Sequence, residues 1–90
     1  MTPVALSKAE SLAKFAQASG SPLNTFALTL TRGEAYELLD YMAEGGLGKC
    51  QFHDDLVRDI RQAKSDGDPW VILRNFQLQG LDIVCVDSLH

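Results

Sequence analysis

Cys50 and His53 form C-x-x-H, and a thiol close to an imidazole is a pairing used both by zinc sites and by thiol nucleophiles. Zinc asks for about four ligands in a tetrahedral array, and structural sites show two spaced Cys/His pairs. This chain has one pair, with Asp54, Asp55 and the terminal His90 as conceivable further ligands. A Cys-His nucleophile also needs an orienting group and a substrate pocket, and the sequence announces neither. The expectation is a loop cysteine and a helix-start histidine, with no metal site, no cofactor and no enzymatic activity.

Just upstream, G-G-L-G-K-C at 45–50 offers glycine backbone and the Lys49 ammonium to a phosphate. A P-loop follows a strand, ends in G-K-[ST] and has a further glycine five positions before its last one. Here the loop follows a helical pattern, Ala43 stands in that earlier glycine position, and Cys50 replaces the hydroxyl. The stretch reads as a helix stop and a connector.

The third arrangement is electrostatic. Glu34, Glu37, Tyr41 and Glu44 recur at i, i+3, i+7 and i+10, which sets three carboxylates and a tyrosine along one side of a helix, with Asp40 adjoining. From Glu34 to Asp55 there are six acids against Lys49 alone. A solvated helix face accounts for such a pattern. So does a surface complementary to a basic groove, with Tyr41 as the kind of aromatic anchor enriched at interface hot spots. Glu34, Glu37, Asp40, Tyr41 and Glu44 are therefore the candidate partner-binding residues. Arg58, Arg61 and Lys64 form a basic stripe at i, i+3 and i+6, but Asp54 and Asp55 sit one turn before Arg58 and can pair with it, which disfavours a nucleic-acid stripe.

These residues must be positioned by elements legible in the hydrophobic period. Phe26, Leu28 and Leu30 alternate with Ala27, Thr29 and Thr31, as in a half-buried strand. Ala35, Leu38, Leu39 and Met42 then recur at i, i+3, i+4 and i+7, as on a helix stripe. The period changes at T-R-G-E, where Thr31 and Glu34 can cap each other's unpaired backbone donors, and Gly45-Gly46 ends the helix. An earlier helix is expected over 7–19, opened by a second capping box at S-K-A-E, with Ala9, Leu12, Phe15 and Ala16 as a narrow stripe, and stopped by Gly20 and Pro22. A third is expected over 53–65, with Leu56, Val57 and Ile60 inward and Phe52 stapled against Val57. Two strands are expected at 70–76 and 81–86, joined as a hairpin by Q-L-Q-G. The first is apolar on both faces, Trp70 and Ile72 against Val71 and Leu73, which points to a central position or a second covered face, and it places Trp70 in the core.

The order α-β-α-α-β-β implies a two-layer α+β domain, a three-stranded, mainly antiparallel sheet with three helices packed on one face. Ninety residues make a single small domain, 1–90, able to bury roughly 60 to 68% of the unfolded chain's surface without a metal or disulfide. Two widely spaced cysteines fit a reducing cytoplasm, and neither a membrane span nor a secretory leader is evident. The net charge of −4 and the pI near 4.9 argue against direct nucleic-acid or anionic-membrane binding and favour a protein partner with a basic surface. Small size, acidity and the lack of a catalytic set together imply a non-catalytic module that binds another protein stoichiometrically. Its sharpest form is a phage- or mobile-element-encoded inhibitor or regulator that occludes the basic groove of a nucleic-acid-binding protein. The second reading is a homo-oligomeric assembly subunit, a homodimer through a sheet edge included. A small enzyme built on Cys50 and His53 comes third.

Overall fold

A computed structural model describes residues 2–22 and 25–86. The chain runs through α1 (Val4–Ser19), β1 (Ala27–Thr31), α2 (Arg32–Ala43), α3 (His53–Asp66), α4 (Trp70–Leu73), β2 (Gln77–Leu78) and β3 (Leu81–Val86). The expected α-β-α-α-β-β order and α+β architecture are present, with α4 as an added helical turn. The sheet is mixed rather than mainly antiparallel as expected, in the order β1-β3-β2: β1 runs parallel to β3 from Ala27↔Asp82 to Thr31↔Val86, and β2 pairs antiparallel with β3 at Gln77↔Asp82 and Leu78↔Leu81. Parallel neighbours need a long crossover. Here it is α2, α3, α4 and β2 together.

Alternation sorts the sheet into two faces. Leu28 and Leu30 of β1 and Leu81 and Ile83 of β3 are buried, while Thr29, Thr31, Asp82, Val84 and Val86 are exposed. The buried face meets Ala5 and Ala9 of α1, Ala35, Leu38, Leu39 and Met42 of α2, Ile60 of α3 and Leu73 of α4. Alanines at the α1 contact let the helix lie close to its neighbours, since short side chains do not hold backbones apart.

The β1–α2 junction is built as the sequence indicates. Thr31 is the N-cap, its hydroxyl accepts from the Glu34 N–H at 3.2 Å, and the Glu34 carboxylate accepts from the Thr31 N–H at 2.9 Å. At α1 the expectation is overturned. The helix begins at Val4, after Pro3, and Ser7 lies inside it rather than capping it. The donor freed at the start is satisfied from elsewhere in the chain: the Val4 N–H donates to Glu37 Oε1 at 2.8 Å. Pro3 suits the position before a helix because its fixed φ of −62° costs nothing further to order.

The segment expected as a strand over 70–76 is also corrected. Pro69, the N-cap residue at φ −68°, ψ −19°, has already turned the backbone helical, and Asp68 Oδ1 accepts from the Trp70 N–H at 3.1 Å, an Asx-type turn that leads into the helix. The run Trp-Val-Ile-Leu therefore makes α4, with Leu73 buried, Trp70 and Ile72 half-buried and Val71 exposed. A short apolar run fits a helical turn and a strand equally by period; the preceding Asp-Pro is the feature that decides between them. The hairpin survives, shifted along the chain, since β2 falls inside the stretch read as its link. Its turn is Gln79-Gly80, with φ of 54° and 83°, the positive pair that a two-residue type I′ turn requires. Finally, Phe52 is the N-cap residue of α3 and 62% exposed, so it makes no buried staple.

Thr31→Ala should lower unfolding stability by about 1 kcal/mol, the usual cost of losing a cap, whereas Ser7→Ala should stay within about 0.5 kcal/mol of the native protein. Denaturant titrations of the two variants check this; equal losses would place a cap at Ser7 after all.

Candidate functional site

Four of the five residues singled out on α2 come together. Glu37, Asp40, Tyr41 and Glu44, with Pro3 from the start of α1, line a surface cavity of about 250 Å³. Glu34 is not among them; it stands one turn nearer the sheet, engaged with Thr31 and with Lys8, whose Nζ lies 2.9 Å from its Oε1. The Thr31 N–H and the Lys8 ammonium hold the Glu34 carboxyl below its ordinary value of 4.5.

Two of the cavity's carboxylates are fixed by contacts the sequence does not announce. Glu37 holds the Val4 N–H of α1, 33 positions away, and Asp40 Oδ1 accepts from Lys64 Nζ of α3 at 2.6 Å. Each ties α2 to a neighbouring helix. Tyr41 is half-buried, set against the turn that follows α2: a Cβ on Gly46 would come within 2.5 Å of its ring, so a larger residue there would push the ring aside. That turn closes by the Gly46 N–H donating to Tyr41 O at 2.9 Å and the Gly45 N–H to Met42 O at 3.0 Å. Among the described residues the Tyr41 hydroxyl and the Glu44 carboxylate have no protein partner.

Glu44 is placed against the local electrostatics. It is the C-cap residue of α2, and the last turn of that helix carries no basic residue. Carbonyl dipoles converge at a helix C-terminus, so a carboxylate there is mildly repelled. Backbone N–H groups of the following turn answer the Asp40, Tyr41 and Met42 carbonyls, and a side chain answers the next one, His53, whose Nε2 lies 3.1 Å from Ala43 O. Donation from Nε2 leaves Nδ1 as the bare nitrogen, and Nδ1 is buried without a partner. His53 therefore acts as a C-terminal cap for α2 reached from the start of α3, while Cys50 is exposed in the connecting loop. Among the described residues, no three His, Cys, Asp or Glu side chains gather in a metal-binding group. His90 lies outside the described residues.

On α3, Arg58 pairs with Asp55 and Lys64 with Asp40, so two of the three basic residues are compensated. A second, smaller cavity at the ends of β1 and β3 is lined by Arg32, Asp68, Pro69, Trp70 and Cys85, and there Arg32 donates to Gly67 O. Trp70 is thus half in the core and half in a polar notch. Among the described residues, no helix is long and apolar enough to cross a membrane. Compared with protein families, with characterised proteins and with solved structures, the chain matches none. Fold and site together define a small α+β domain that carries an acidic, tyrosine-lined cavity on its second helix.

Two outcomes follow from these contacts. A chelator should leave the thermal midpoint unchanged, while His53→Ala should lower stability by about 1 kcal/mol through the lost hydrogen bond; a midpoint that falls with chelator would instead assign His53 to a metal. Since the Glu34 carboxyl titrates lower in the folded than in the unfolded chain, its contribution is complete above about pH 4.5 and is lost as pH falls through the folded value. Glu34→Gln should therefore flatten the acid limb of the stability curve, and an unaltered limb would show that Lys8 and Thr31 do not hold the carboxylate in solution.

Proposed function

We propose that this chain is a non-catalytic, cytoplasmic binding module that acts stoichiometrically on another protein and presents the Glu37–Glu44 face of α2 to a basic surface. In its sharpest form it is an inhibitor or regulator, of the kind phages and mobile elements encode, that occupies the basic groove of a nucleic-acid-binding protein. The observation that supports this most is the convergence of Glu37, Asp40, Tyr41 and Glu44 on one cavity. Glu37 accepts the Val4 N–H and keeps its charge, whereas the charge of Asp40 is already met by Lys64, so Glu37 and Glu44 are the acids of this face left for a basic partner. Glu44 sits where its charge disfavours the helix, the pattern expected when a residue is kept for something other than stability. Tyr41 offers an aromatic face beside these acids, suited to an Arg or Lys side chain.

The residues separate cleanly in a test. Glu44→Lys should raise stability by a few tenths of a kcal/mol, because a cation suits a helix C-terminus, and should slow association with a basic partner. Tyr41→Ala should chiefly speed dissociation, at a cost of roughly 2 kcal/mol in affinity. Glu37→Gln keeps an acceptor for the Val4 N–H and removes only the charge, whereas Glu37→Lys would also uncap α1. The measurement is binding kinetics at two salt concentrations, with a partner captured by the native chain. Native rates in Glu44→Lys and Tyr41→Ala would remove this face from the mechanism.

A further inference from the structure

A broad, open and mainly apolar depression lies elsewhere, between α1 and the open edge of β1. It measures about 670 Å³, and Ser11, Leu12, Phe15, Ala27, Leu28 and Thr29 line most of it. Among the described residues, the order β1-β3-β2 leaves β1 without a neighbouring strand on this side. An edge strand beside an apolar groove invites another strand to pair with it, since its backbone groups are a ready template. Phe15 is 61% exposed at this groove and meets Phe26 edge-on, with ring centroids 5.9 Å apart.

Lys8 also lines the groove, and its ammonium reaches across to β1. Nζ donates to Thr29 O at 3.2 Å and to Glu34 Oε1 at 2.9 Å, and that same carboxylate oxygen takes the Thr31 N–H at 2.9 Å. We propose that Lys8, held by Glu34, is a latch that shuts the edge of β1 against a second copy of this chain. The pair is too exposed to act through its own strength. It acts because a second strand would have to strip water from the ammonium or push it aside.

The excluded occupant is a second copy for two reasons. Antiparallel pairing of two β1 strands about Thr29 sets Leu28 opposite Leu30 of the other copy, so the buried faces of both sheets stay on one side and the two grooves merge. Charge points the same way. Lys8 is the charged residue of the groove and no carboxylate lines it, so two chains of net charge −4 can meet here without groove carboxylates facing one another. Across α2 they would set Glu37, Asp40 and Glu44 against their own copies.

Sedimentation equilibrium of the native chain, Lys8→Arg, Lys8→Ala, Lys8→Gln and Lys8→Ala with Phe15→Asp tests the latch, with circular dichroism to verify folding. The native chain and Lys8→Arg should be monomeric. Lys8→Ala should self-associate at least about tenfold more tightly, as a closed dimer, and Phe15→Asp should return it to monomer. If Lys8→Ala does not fold, Lys8→Gln reads the same effect, since it also removes the charge. A native dimer, monomeric Ala and Gln variants, open-ended aggregates, or a dimer indifferent to Phe15→Asp would each overturn the proposal.

Discussion

One carboxylate oxygen, Oε1 of Glu34, joins three elements of this fold. It accepts the Thr31 N–H where β1 gives way to α2, and it receives the ammonium of Lys8 from α1. The first contact fixes the residue at which an extended chain becomes a helix, because capping satisfies donors that the new helix leaves unpaired. Fixing that residue sets which face Ala35, Leu38, Leu39 and Met42 turn toward Leu28 and Leu30. The second contact links α1, whose Ala5 and Ala9 pack in the core, to the start of α2. Neither bond is strong alone, but together they couple the register of a strand, the start of a helix and the position of its neighbour.

The acidic surface is partly consumed by similar economies. Glu34 caps, Glu37 satisfies the first donor of α1, and Asp40 receives Lys64. Charges that look like an idle stripe in the sequence hold helices at defined angles. What they leave at the surface is a cavity lined by Glu37, Asp40, Tyr41 and Glu44, of which Glu44, among the described residues, makes no hydrogen bond or ion pair with a neighbouring helix.

The sheet's two exposed features are handled differently. Its outer face carries the polar Thr29, Thr31 and Asp82 together with the exposed apolar side chains of Val84 and Val86. Its β1 edge is guarded by a lysine. Lysine suits this task through its long apolar stem, which lies along a groove while the charged head stays hydrated.

Local chemistry alone determined the β1–α2 junction, the bounds of α2 and nearly all of α3, and the existence of a hairpin, because period and capping are written in neighbouring residues. The Arg58–Asp55 pair belongs here too, lying within one turn. The start of α1 was not legible, since the acceptor for Val4 is Glu37, 33 positions away, and S-K-A-E imitates a cap that the tertiary structure does not use. The helical turn at Trp70 was legible in principle from Asp-Pro, yet the β-rich composition of Trp-Val-Ile-Leu argued for a strand, and packing of Leu73 into the core accompanies the helical choice. Strand order, the parallel β1–β3 ladder, the separation of Glu34 from the other four site residues and the role of Lys8 were decided by the fold. Each depends on which distant backbone edge or carboxylate comes within hydrogen-bonding reach, and sequence spacing carries no information about that distance.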